Sequence, residues 1–262
     1  DTICVNAAPI SFVDYIAIDR PDEKVTKEVG KGLNRGAELS DMEIVGGEIA
    51  VLPEIVNGLD LSGTCMGVVG KDEIITGETC EKGDLIVALK SSGVHSNGLT
   101  LARKVVEANN IKMTDSVSGL TKSIGKELLT PTEIYVKEVL GITKAHEVHG
   151  LVDITGGGLR NILRMAKGLK YVIDDPVKPQ PIFEVLRQLG NIGTEEAYHN
   201  LGNVELLEAY QTFNMGMGFA IIAPEDEAES IAKENANAKV VGRVEEGNGV
   251  YFAPEKILYD HY

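Results

Sequence analysis

Short apolar runs bounded by glycine and polar residues alternate along the chain with stretches whose apolar residues recur every three or four positions. Runs of the first kind predict strands over residues 3–5, 10–18, 42–45, 61–69, 84–89, 149–154, 170–173, 212–222, 239–244 and 249–252. Stretches of the second kind predict helices over residues 22–39, 99–106, 131–145, 159–167, 181–189 and 224–235. Val25, Val29 and Leu33 form the apolar stripe of the first helix, and Pro131 suits a helix start. The last two strands read as a hairpin turning at Gly247-Asn248. Residues 71–83 are polar and interrupt the pattern, so the chain divides into residues 1–82 and 83–262. Two blocks of alternating elements predict an α/β (α+β) chain of two domains, each a mixed β-sheet covered by helices.

The most informative stretch is residues 91–98, Ser-Ser-Gly-Val-His-Ser-Asn-Gly, between an apolar strand and a helix. Ser96 or Asn97 can cap that helix. Such a loop directs backbone N–H groups and the positive end of the helix to one point, which suits a phosphate. His95 adds a group that titrates near neutrality. The same shape also serves as a plain turn between strand and helix. A second strand, glycine loop and helix follows at residues 149–167, with Thr155-Gly156-Gly157-Gly158 as its loop. Glycines at alternate places in residues 212–222 share one face of their strand, where a backbone or ligand can lie close. Residues 189–199 are echoed by residues 201–211, both reading L-G-N-[IV]-x-x-x-E-A-Y, a local duplication too short for a solenoid.

Composition narrows the function classes. The formal net charge of −15 argues against nucleic acid and anionic membrane as partners. A chain this acidic would hold a phosphorylated small molecule with backbone N–H groups, helix ends and Mg²⁺. Cys4, Cys65 and Cys80 are widely spaced, which suggests neither a zinc site nor a disulfide framework. No apolar run approaches membrane-spanning length, so a cytoplasmic, reducing compartment is expected.

Taken together, the motifs resemble those of the phosphoribosylformylglycinamidine cyclo-ligase (aminoimidazole ribonucleotide synthetase) family. The matching pieces run in order: Val5-Asn6, Ala7-Ala8-Pro9 with Phe12-Val13-Asp14-Tyr15, Val45-Gly46-Gly47-Glu48, residues 63–69, residues 91–98, Ile154 to Gly158, and residues 212–218. The resemblance implies ATP-dependent closure of an imidazole ring in purine biosynthesis, with ATP and Mg²⁺ required. It implies a homodimer formed through the N-terminal sheets. It places Asn6, Asp14, Gly46, Gly47 and Glu48 at the nucleotide, with Asn6 and Glu48 toward Mg²⁺. His95 and Asn97 fall at the catalytic loop. Ser96, Gly98, Thr155, Gly156, Gly157, Gly158, Asn214 and Gly216 fall at substrate and phosphate.

The resemblance has departures. The family usually reads Gly-Gly-Glu-Thr-Ala followed by Glu-Met-Pro, whereas here the segment is Gly46-Gly47-Glu48-Ile49-Ala50-Val51-Leu52-Pro53. Asp153 stands where the family commonly has His. The family carries Val-Asn-Asp, a handful of residues, then Gly-Ala-x-Pro, whereas here Val5-Asn6 runs at once into Ala7-Ala8-Pro9. The family also has an upstream Asp-Gly-Val-Gly-Thr-Lys segment. Both differences lead to the expectation of a longer chain, with a nucleotide-ordered loop between Asn6 and Ala7. Rival functions are another ATP-dependent enzyme of the superfamily, of the amidotransferase synthetase, selenophosphate synthetase or thiamine-phosphate kinase type, and a non-catalytic nucleotide-binding relative. No Cys occupies a Gly-rich N-terminal loop, which disfavours the selenophosphate type.

Overall fold

A computed structural model describes residues 1–191 and 206–261. The centre of the L-G-N duplication lies outside these residues. By contacts the chain forms two units, one of residues 1–74 with 134–145, the other of residues 75–133 with 146–262.

In the first unit, a 3-10 turn (Thr2–Val5) leads into β1 (Ala8–Ile18), α1 (Glu23–Ser40), β2 (Glu43–Val51) and β3 (Leu59–Val68). The Asp22 side chain accepts from the N–H groups of Lys24 and Val25, which starts α1 where the pattern predicted. Strand order is β2-β1-β3, with β1 parallel to β2 and antiparallel to β3. A parallel pair needs a crossover, and α1 supplies it. A later helix, here α4 (Val136–Ala145), lies against α1, β1 and the 3-10 turn. Ile3, Ala7, Ile16, Ala17, Ala37, Val139 and Ile142 are buried.

The second unit holds β4 (Leu85–Lys90), α2 (Leu99–Ala108), α3 (Ile124–Leu128), β5 (Gly150–Asp153), a 3-10 segment (Gly158–Arg164), β6 (Leu169–Ile173) and α5 (Pro181–Asn191). After the undescribed residues come α6 (Leu206–Thr212), β7 (Met217–Ala223), α7 (Glu225–Glu234), β8 (Ala238–Glu246), β9 (Gly249–Phe252) and β10 (Ile257–Tyr259). The sheet order is β10-β9-β6-β8-β4-β7-β5. Ile86, Ala88, Ala220 and Ile222 join one core with Phe183, Tyr210, Phe213 and Phe252. Val87, Leu89, Phe219 and Ile221 face the opposite way and are buried too. Burial on both faces is why these strands read as continuous apolar runs.

Several local expectations change. Residues 2–5 are a 3-10 turn rather than a strand. The chain passes directly from Asn6 to Ala7, and the N–H groups of both return to carbonyls of that turn. Asn6 adopts φ 64°, a left-handed conformation that glycine takes freely and asparagine tolerates. Asn6 and Ala7 thus sit in one hydrogen-bonded turn, with no loop between them.

Strand β2 runs straight through Gly46-Gly47-Glu48, expected as a strand end, because Gly47 leaves room for the Asp14 side chain opposite it. Residues 131–133 do not extend α4, since Pro131, Thr132 and Glu133 bond to Ser92, Ser96 and His95. Residues 159–164 wind as 3-10 rather than α. The strand expected from residue 212 begins only at Met217, after a glycine turn. The expected β8–β9 hairpin does not form, because β6 lies between them, parallel to β9.

Candidate functional site

In the second unit, the register of the sheet puts the ends of β4 and β5 and the start of β7 at one edge. Residues 91–98, 155–158 and 212–216, singled out in the sequence, all lie there. Asn214 ties two of these loops together. Its buried amide donates to the carbonyls of Gly93 at 2.8 Å and Val94 at 3.2 Å and accepts from the N–H of Gly216 at 2.9 Å. The N–H of Ser91 donates to the Gly216 carbonyl at 2.9 Å. Gln180 adds a further tie, donating to the Ser91 carbonyl and accepting from its hydroxyl.

Two glycines make this approach possible. Gly98 has φ 81°, and a Cβ there would stand 2.4 Å from the Phe213 ring. Gly158 has φ 55°, and its Cβ would stand 2.0 Å from the Tyr210 carbonyl oxygen. Both positions combine a left-handed backbone with backbone or ring contact, so only glycine fits. Gly98 also precedes α2 without a side-chain cap, so neither Ser96 nor Asn97 takes the expected capping role.

His95 is turned inward. Its φ is 64°, and its Nε2 accepts the N–H of Ser92 at 3.1 Å and of Glu133 at 3.4 Å. Ser92 Oγ donates to the Pro131 carbonyl at 2.6 Å, and Ser96 Oγ lies 3.0 Å from Thr132 Oγ1. Burial pushes the imidazole pKa down to about 4. An imidazole accepting backbone N–H groups at Nε2 is neutral, with its proton on Nδ1. His95 thus staples residues 131–133 to the loop, and its Nε2 is occupied by backbone. In this arrangement His95 Nε2 holds the loop to residues 131–133.

Asn97 approaches the glycine loop beside Thr155. Asn97 Oδ1 lies 3.1 Å from where a Cβ on the exposed Gly156 would stand. Thr155 Oγ1 accepts from Asn161 Nδ2 at 2.9 Å, and its carbonyl accepts from the N–H of Gly158 at 2.9 Å. Asp153, in the place of the family's His, pairs with Arg164 at 3.1 Å. Asn161, Gln180 and residues 131–133 were not singled out in the sequence. Asn161 carried a signal, as an asparagine among the apolar positions of residues 159–163.

The residues expected at the nucleotide lie in the first unit, and register separates them. Asp14 pairs with Gly47 and Gly63, whereas Glu48 pairs with Tyr15 on the opposite face of the sheet. Gly46 shares the Glu48 face, opposite Val13. Asn6 is spent on structure: its Nδ2 donates to the Glu73 carbonyl at 3.0 Å, and its Oδ1 accepts from Thr143 at 2.7 Å. Asn6 precedes β1, while Glu48 pairs with Tyr15 well along it, a separation of about 20 Å at strand rise. Within one chain, Asn6 and Glu48 are therefore too far apart to share one Mg²⁺, whose oxygen ligands stand about 2 Å away.

The match to known families covers nearly the whole of this architecture. Residues 1–69 match the model for the AIR synthase related protein N-terminal domain, and residues 81–253 match the C-terminal domain model. The chain belongs to the AIR synthase family. Among curated members of the AIR synthase family, it is 45% identical over 256 residues to the phosphoribosylformylglycinamidine cyclo-ligase of Methanopyrus kandleri, covering 94% of this chain and 70% of that protein. It is 42% identical over 268 residues to the cyclo-ligase of Methanococcus vannielii, covering 100% of this chain and 73% of that one. Thiamine-monophosphate kinase from Stenotrophomonas maltophilia shares the fold, with TM-score 0.67 at 18% identity over 98% of this chain and 76% of that one. A second fold relative is a structure titled AaThiL complexed with AMPPCP and TMP, with TM-score 0.64 at 16% identity, over 100% of this chain and 76% of that one. No helix among the described residues is long and apolar enough to cross a membrane.

Proposed function

We propose that this AIR synthase-family chain converts formylglycinamidine ribonucleotide to aminoimidazole ribonucleotide, coupled to ATP cleavage. The formyl amide oxygen takes the γ-phosphoryl group of ATP. The amidine nitrogen then attacks the activated carbon, a C–N bond forms, the C–O bond breaks, and inorganic phosphate leaves with that oxygen. No covalent nucleophile on the protein is needed. The placement of Asn97, Thr155 and the exposed Gly156 at one sheet edge supports this reading most, in a chain whose curated relatives carry that activity's name. Backbone N–H groups of residues 156 and 157 and the Thr155 hydroxyl suit phosphate oxygens, and fixed donors there would stabilise developing charge. Ser96, Gly98, Asn214 and Gly216 shape the same edge.

The nucleotide end is assigned to the first unit, with Asp14 above Gly47 and with Glu48 and Gly46 on the other face. Mg²⁺, when bound, neutralises charge on the phosphates. Among the described residues no group of three or more His, Cys, Asp or Glu forms a metal cage. Mg²⁺ of this kind keeps waters and takes ligands from the nucleotide, with one or two protein carboxylates such as that of Glu48.

A homodimer is proposed through the first unit. Ile16, Ile49 and Leu61 form one cross-strand row, and Ile18, Val51 and Leu59 the next. Within those rows Ile49 is 50% exposed, Leu61 50% and Val51 48%, an apolar surface suited to a second copy. The cytoplasm is the proposed compartment, in keeping with the wide spacing of Cys4, Cys65 and Cys80.

Phosphate release from ATP tests the reading. It is expected only with formylglycinamidine ribonucleotide present, and one aminoimidazole ribonucleotide should form per phosphate. Release without that substrate, or transfer of phosphate to a stable product, contradicts it.

A further inference from the structure

We propose that Asn161 is a positioning residue that fixes which way the Thr155 hydroxyl points its proton. The proposal rests on the reading of Thr155 as a group that meets substrate or phosphate. Asn161 is fully buried at 0% exposure, in the 3-10 segment that follows the glycine loop. Its Nδ2 donates to Thr155 Oγ1 at 2.9 Å. Among the described residues its Oδ1 has no hydrogen-bond partner.

A buried amide oxygen without a partner is a standing cost that a leucine of similar size would not carry. The bond to Thr155 is what that cost sustains. An amide N–H can only donate, so the Thr155 oxygen receives a proton there and cannot send its own back along the same line. The Thr155 hydroxyl proton is left to point elsewhere. Thr155 is half-buried beside the exposed Gly156 and within the loop whose Gly158 N–H returns to the Thr155 carbonyl. The hydroxyl is thereby pre-set as a donor toward an acceptor at the loop, such as a phosphate or amide oxygen. Without Asn161 the hydroxyl is free to rotate, and the donor must be ordered at each turnover.

The test is a double-mutant cycle on the full chain, reading kcat and KM for ATP-dependent phosphate release, with thermal melting of each variant. Thr155→Val and Asn161→Leu are each expected to lower kcat about tenfold with little change in KM. The double variant is expected to be no slower than Thr155→Val alone. Losses that multiply, or an Asn161→Leu variant with wild-type kcat beside an impaired Thr155→Val, overturn the positioning role. A Thr155→Val variant with wild-type kinetics overturns the reading of Thr155 as well. Asn161→Asp keeps the volume and guards against a variant that fails to fold. Only its protonated carboxyl can donate to Thr155, so its rate relative to wild type should fall as pH rises. A ratio that does not change with pH counts against the proposal.

Discussion

At the scale of single residues, two side chains show how position overrides type. His95 has the residue type of a proton shuttle, but its Nε2 accepts backbone N–H groups and its pKa is pushed down to about 4 by burial. It binds its proton less readily folded than unfolded, so stability is lost as the pH falls below the ordinary histidine value toward about 4. His95→Gln should reduce that acid sensitivity, measured as the urea midpoint against pH. His95→Ala should lower turnover about 10²-fold together with melting temperature, while the shape of the pH–rate profile stays that of wild type. A changed profile with unchanged melting would restore His95 as the general base. Asn214 makes three bonds with one buried amide. Asn214→Leu should destabilise the second unit by about 3 kcal/mol, since the carbonyls of Gly93 and Val94 and the N–H of Gly216 lose their partner. Urea unfolding measures it. The identity of these residues was legible because Ser-Ser-Gly-x-His-Ser-Asn-Gly and Thr-Phe-Asn-Met-Gly are distinctive. Their roles were not, because a sequence does not say which ring nitrogen faces inward.

At the scale of elements, apolar runs such as residues 84–89 announced themselves, since Ile86 to Leu89 are buried throughout, whereas the stripe of α1 marks a helix whose Val25 stays 40% exposed. What stayed hidden was set by partners far along the chain. Residues 131–133 looked helical by composition yet are held outside the helix by bonds to Ser92, His95 and Ser96. The β8–β9 hairpin looked natural at Gly247-Asn248 yet yields to β6, a pairing that no local signal encodes. Asn6 and Glu48 looked like one metal site until strand register set them far apart. The start of β5 carries a pH-sensitive tie: His149 Nδ1 lies 2.8 Å from Asp84 Oδ2. Burial alone would lower the His149 pKa, but the bond and charge of Asp84, with Glu147, raise it above the ordinary value of 6.5. The stabilisation is fully present below 6.5 and is lost as the pH rises through the raised folded value. This slope is opposite in sign to that of His95. Asp84→Asn should therefore cost most stability at mildly acidic pH, and an equal cost at alkaline pH would contradict the assignment.

At the scale of the whole molecule, the two-domain α/β reading holds, although contact boundaries return α4 to the first unit. The proposed dimer predicts that sedimentation gives twice the chain mass at micromolar concentration. Ile49→Asp with Leu61→Asp should shift it to monomer, because charge on a surface of this size opposes an obligate interface of about 2,000 Å². The central claim concerns one oxygen atom. If ring closure proceeds through phosphoryl activation of the formyl amide, that oxygen must leave on phosphate. Formylglycinamidine ribonucleotide labelled with oxygen-18 at the formyl group, turned over with ATP and this chain, should yield inorganic phosphate carrying one label per turnover by mass spectrometry. Unlabelled phosphate, with the label in water or retained in the nucleotide product, would contradict the account.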